Sequence, residues 1–163
     1  MTKTANSYEV GVQEGYTRWA TQYDHEENEL IVLEEELTLP LLSSIPVNQV
    51  LDLGAGTGRY ALRLAAQGAQ VTALDQSEAM LDRGRQAARK AGVSVQFIQQ
   101  SLEGRLPGEA DSFDLVMAAL VLCDVANLGN VAREAYRVIR PGGHIFITDF
   151  HPAATAAGWR TQF

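Results

Sequence analysis

Val50-Leu51-Asp52-Leu53-Gly54-Ala55-Gly56-Thr57-Gly58, with Asp75 closing the next apolar run, decides the fold of this chain. A short aliphatic run that ends in glycines reads as a buried strand entering a turn. Three glycines at alternate positions let the backbone take positive φ and let a ligand lie against it without a Cβ in the way. Asp75 follows Gly54 by roughly 20 residues, the interval at which a carboxylate reaches ribose hydroxyls in a βαβ crossover. The pair points to a nucleoside-binding unit, and the carboxylate accounts for a ribose better than for phosphate.

Outward from this unit, strands alternate with helices. After Gly58, residues 60–66 form a helix stopped by Gly68; residues 70–74 are the second strand; Ser77 caps a helix over 78–90 that Gly92 closes. Residues 94–99 and 113–119 are further strands. Residues 127–139 are a helix with Leu128, Val131, Ala135 and Val138 inward, and Pro141-Gly142-Gly143 turns the chain into a fifth strand over 144–149, expected to be buried on both faces. Such alternation implies a doubly wound parallel α/β sheet with right-handed crossovers. With strand order 3-2-1-4-5, ligands bind beyond the carboxyl ends of the strands flanking the switch point, after Leu53 and near Ala119. Residues 9–43 read as helical, split near Asp24, with Pro40 and Pro46 marking the end of a helix over 25–42. The expected division is a helical cap over 1–46, a core over 47–152 and a tail over 153–163.

The cofactor class follows from the turn. A dinucleotide fingerprint, G-x-G-x-x-G, has its third glycine where this chain has Arg59. An acidic residue before G-x-G-x-G and another closing the second strand instead resembles the S-adenosylmethionine motif of class I methyltransferases. Residues 96–103 resemble that family's third strand and adenine loop, 113–120 its fourth strand and 140–147 the entry to its fifth, so the resemblance spans about residues 49–152. It implies the Rossmann-like fold and a methyltransferase that converts S-adenosylmethionine to S-adenosylhomocysteine. By resemblance, Gly54, Ala55 and Gly56, with Thr57 and Gly58 completing the turn, lie against the methionine part, and Asp52 orients its ammonium. Asp75 takes the ribose hydroxyls, Gln76 and Met80 pack by adenine, Ser101 and the Leu102 backbone meet its edge, and Ala118 and Ala119 line the floor. Ser101 departs from the family's common aspartate, which implies weaker binding of the adenine amine. Tyr16, Trp19, Tyr23 and Asp24 repeat the order of the family's cap helix; their helical spacing equally suits packing of the arm onto the sheet.

Composition narrows the partners. A net charge of −7 and few basic residues argue against a nucleic-acid groove, and no apolar run approaches the roughly 20 residues of a membrane span. The single Cys123 fits a reducing, cytoplasmic setting and reads as a small buried side chain rather than a nucleophile. His25 and His144 have no metal-ligand spacing, so no metal site is expected. A small-molecule acceptor is the expected substrate. Tyr23, Asp124 and His151 are the candidates for acid–base work on it. The family's sheet ends in a hairpin that nothing after Asp149 can build, and the Ala-rich tail has weak strand propensity. The fifth strand is therefore expected to be an open edge, through a chain that is part of a longer protein or through a homodimer that pairs two edges. A non-catalytic S-adenosylmethionine-binding domain and a nicotinamide-binding oxidoreductase domain are the alternatives.

Overall fold

The structure, a computed structural model, describes residues 11–20 and 28–157. Tyr23, Asp24, His25, the first ten residues and the end of the tail lie outside them. Five strands form one parallel sheet of order β3-β2-β1-β4-β5: β1 Gln49–Leu53, β2 Gln70–Asp75, β3 Gln96–Gln99, β4 Phe113–Ala119 and β5 Ile139–Thr148. The expected doubly wound topology is therefore present. β1 and β4 are the central strands and are almost wholly buried. Helices α1 Val12–Trp19, α2 Glu29–Ser43, α3 Arg59–Ala66, α4 Glu78–Ala91, α5 Leu128–Val138 and a short α6 Pro152–Ala156 accompany them, with a 3-10 turn, Leu122–Asp124, after β4.

Two apolar clusters cover the two faces of the sheet. On one, α5 contributes Val131, Ala135 and Val138 against Leu51, Leu53, Val116 and Ala118. On the other, Tyr60, Ala61 and Leu64 of α3 and Leu42 of α2 pack with Val50, Val71, Leu115 and Met117. α2 is thus a layer helix of the core as much as part of a cap. The inner face of α2 is unusual because it buries charge: Glu34 is 7% exposed and accepts hydrogen bonds from Arg59 Nη1 at 2.6 Å, Tyr60 OH at 2.6 Å, Thr148 Oγ1 at 2.7 Å and Thr38 Oγ1 at 3.0 Å. Those bonds hold its carboxyl below the usual range against the opposing pull of burial. Arg59 also lies over the Tyr60 ring at 4.4 Å.

Three expectations are corrected. α2 begins at Glu29, where Asn28 caps Leu30 and Ile31, and runs through Pro40 to Ser43. Pro40 is exposed, so the carbonyl it fails to pair is open to water and the helix continues. Pro141-Gly142-Gly143 is not a turn before β5 but a bulge within it: the step from Ile139 to His144 opposes the step from Phe113 to Leu115, and Gly142 has φ of 79°. β5 is not covered on both faces, since Ile145 and Ile147 are 47% and 55% exposed. The Ala-rich segment after Asp149, expected to have little strand propensity, opens with the short helix α6.

Candidate active site

The glycine turn is built by both its neighbours. Ala55 N–H bonds the Leu74 carbonyl at 2.8 Å, tying the turn to β2, and Gly58 N–H closes it on the Ala55 carbonyl at 2.8 Å. Gly54, at φ 66°, is required by the protein itself, because a Cβ there would lie 2.2 Å from Cγ2 of Val121 in the loop after β4. At Gly56, φ 56°, a Cβ would meet no atom within 4 Å. That open space belongs to a cavity at the carboxyl ends of β1, β2 and β4, where the switch point places it.

Gly54 and Gly56 line this cavity with Asp75, Gln76 and Met80 from β2 and α4, Ser101 and Leu102 after β3, Ala119 from β4, and Tyr16 from α1. Asp75 Oδ2 accepts from Gly56 N–H at 2.9 Å and Oδ1 from Ser77 N–H at 2.8 Å, so one carboxylate braces the turn and the start of α4. Burial pushes its carboxyl up while these backbone donors pull it down. A carboxylate offers about four acceptor positions, so sites remain for hydroxyls from the cavity. Ser101 Oγ accepts from Glu103 N–H at 3.2 Å and is exposed.

Asp52, Ala55, Thr57, Gly58, Trp19 and Ala118 are not on the cavity wall. Asp52 is buried; burial pushes its carboxyl up to about 7, with Arg59 and then the backbone N–H of Ala61 opposing. Trp19 sits beside Tyr16, ring centroids 6.2 Å apart. Asp124 is on the wall, and Tyr16 OH donates to its Oδ2 at 3.1 Å; burial raises its carboxyl, Tyr16 lowers it, and Asp149 raises it further. His151 lies off the wall with Nδ1 accepting from Ala153 N–H at 3.1 Å. Cys123, expected to be buried, is exposed, yet its thiol is pushed up to about 12 by partial burial and then by Asp124 and Asp149, which disfavours the thiolate.

The sequence did not point to Val12, Gln100, Glu103, Leu120, Val121 and Val125, which also line the cavity. Glu103 had a weak signal beside Ser101. Leu120 had none: it takes φ 56° at the end of β4, held by its N–H bond to the Thr148 carbonyl at 2.8 Å, a tertiary constraint. Helix α1 spans the mouth, with Gln13 Nε2 on the Gln76 carbonyl at 3.2 Å and Thr17 Oγ1 3.3 Å from Ser77 Oγ. No lysine, arginine or histidine is among the described lining residues. The donor set suits an adenosyl sulfonium: a carboxylate for hydroxyls, open backbone at Gly56, and no cation opposing positive charge.

Residues 51–147 match the family model described as a methyltransferase domain, and the chain belongs to that family. The fold and motif are those of class I S-adenosylmethionine-dependent methyltransferases, in keeping with the sequence resemblance. The chain is 35% identical over 99 residues to the ubiquinone biosynthesis O-methyltransferase of Serratia proteamaculans, covering 61% of this chain and 41% of that one. It thus spans about two fifths of the length of the curated relatives it matches. An S-adenosylmethionine-dependent methyltransferase structure from Mesorhizobium loti superposes with TM-score 0.61 at 30% identity, covering 69% of this chain and 53% of that one. The PH0226 protein of Pyrococcus horikoshii gives 0.67 at 28%, covering 76% and 60%.

Proposed function

We propose that this chain binds S-adenosylmethionine in the cavity and is the methyl-transferring domain of an enzyme acting on a small-molecule acceptor. The observation that carries this is Asp75 on the cavity wall, bonded to the glycine turn and facing the open space at Gly56. Asp75 holds the ribose, Gln76, Met80, Ser101 and Leu102 hold the adenine, and the turn from Gly54 to Gly58 receives the methionine part. Asp52 acts from beneath by fixing the start of α3. The cofactor supplies an activated methyl group on a sulfonium. The chain's part is alignment of acceptor and methyl, worth up to about 7 kcal/mol or more when geometry is well held. Calorimetry with S-adenosylhomocysteine and with NADH tests it: the first binds and the second does not.

The charge of −7 favours a small acceptor over nucleic acid, and the single cysteine fits a cytoplasmic setting. No helix among the described residues is long and apolar enough to cross a membrane. The core at 47–152 is the binding unit, with α1 and the residues before β1 its cap. A homodimer through the β5 edge is the partner that the exposed Ile145 and Ile147 favour.

A further inference from the structure

Three carboxylates line the cavity, and their partners differ. Asp75 is bonded to two backbone N–H groups. Glu103 Oε1 accepts from Ala126 N–H at 2.8 Å and Asn127 N–H at 3.3 Å, which commits it to folding the loop after β4. Asp124, also on the wall, accepts from one side chain, Tyr16 OH on Oδ2, and among the described residues no donor is bonded to its Oδ1. The sheet order separates their tasks. Asp75 ends β2 and Asp124 follows β4, on opposite sides of the glycine turn after β1. With the nucleoside on the β2 side, Asp124 lines the cavity from the β4 side, bonded to Tyr16 of α1.

We propose that Asp124 is the acceptor-selecting residue of this site: it receives an uncharged or cationic acceptor whose reacting nitrogen or oxygen carries a proton, and it turns away carboxylates and phosphates. This rests on the cofactor reading above. In the transfer, the acceptor atom's lone pair forms the new bond to the methyl carbon. The carbon–sulfur bond breaks toward sulfur, leaving a neutral thioether, and the acceptor's proton passes to Asp124 Oδ1. Burial and Asp149 both favour a proton on this carboxylate. An anionic acceptor meets Asp124, Asp75 and Glu103 with no cation among the described lining residues to offset them, and like charges brought together at a binding site oppose binding strongly. Tyr16 couples the choice to α1, because the same hydrogen bond that orients Asp124 ties α1 to the loop after β4.

The test uses the chain saturated with S-adenosylhomocysteine and three ring probes of similar size, phenol, benzylamine and benzoate, with affinities measured by ligand-observed NMR at pH 7.5. Phenol and benzylamine bind, and benzoate binds about tenfold or more weakly. Asp124→Asn, still folded and with unchanged S-adenosylhomocysteine affinity, loses the preference; if it does not fold, Asp124→Ser serves the same comparison. Phenol against benzylamine then separates hydroxyl from amine acceptors. Benzoate binding as well as the others, no binding of phenol or benzylamine, or a preference that survives the substitution overturns the proposal. Failure of the unsubstituted chain to bind S-adenosylhomocysteine instead removes the cofactor reading beneath it.

Discussion

Asp75 and Asp52 show how two carboxylates one strand apart acquire different work. Asp75 braces Gly56 and Ser77 and opens on the cavity, so Asp75→Ala loses two things at once. Removal of hydrogen bonds to a charged group, about 1.5 to 3 kcal/mol, weakens S-adenosylhomocysteine binding by roughly 10- to 100-fold, and the melting temperature also falls. Unchanged affinity by calorimetry would contradict the site. Asp52 gives a pH signature. In an unfolded chain an aspartate titrates at about 3.9, whereas burial in the folded chain pushes Asp52 up to about 7. Between those values the folded chain holds a proton that the unfolded chain has released, so this group's contribution to stability falls as pH rises from about 4 to about 7 and stays low above. Asp52→Asn keeps an acceptor for Ala61 N–H without the charge. Its melting temperature exceeds the parent's above pH 7 and the two converge near pH 4; a pH-independent difference would contradict this assignment.

At the scale of elements, the glycine turn, β1, β2 and α4 were legible because backbone chemistry wrote them: alternate glycines, aliphatic runs, and Ser77 and Gly92 as caps. Pro40 and Pro141 misled because a proline's effect depends on which way its missing N–H faces. At an exposed helix position and in a bulge of an edge strand, the lost bond is tolerated. The Glu34 network was illegible. Within Glu34-Glu35-Glu36 the sequence suggests only a solvated helix face, and nothing local says that Glu34 turns inward to Tyr60, Arg59 and Thr148. Removing one partner of a buried ion pair costs about 3 to 5 kcal/mol, so Glu34→Ala destabilises the chain by about that amount in urea unfolding, whereas Glu36→Ala, exposed, changes little. Equal effects would mean that the network does not anchor α2. In the turn itself, Gly54→Ala drives a Cβ into Val121 and destabilises the fold, while Gly56→Val leaves a folded chain, less stable by the strain of its φ, that no longer binds cofactor.

At the scale of the whole molecule, two apolar surfaces stay open, one beside β5 and one on α2. β5 ends the sheet with no outer partner among the described residues, and Ile145 and Ile147 are exposed beside it. The outward face of α2 carries Leu30, Leu33, Leu37 and Leu41, with Leu37 64% exposed, although a helix that is apolar on its outer face is normally covered. Residues 142–148 contain no acidic side chain, so two copies of β5 can pair antiparallel across a two-fold axis without charge repulsion between carboxylates. Sedimentation therefore finds a dimer that Ile145→Lys with Ile147→Lys converts to monomer; a monomer throughout would contradict the pairing. The central claim, that the cavity above β1 and β2 is an adenosyl-sulfonium site, is tested most directly by calorimetric titration of the 163-residue chain with S-adenosylhomocysteine, repeated on Gly56→Val. The account predicts one site per chain for the parent and no measurable binding to the folded variant; equal binding by both, or none by the parent, would contradict it.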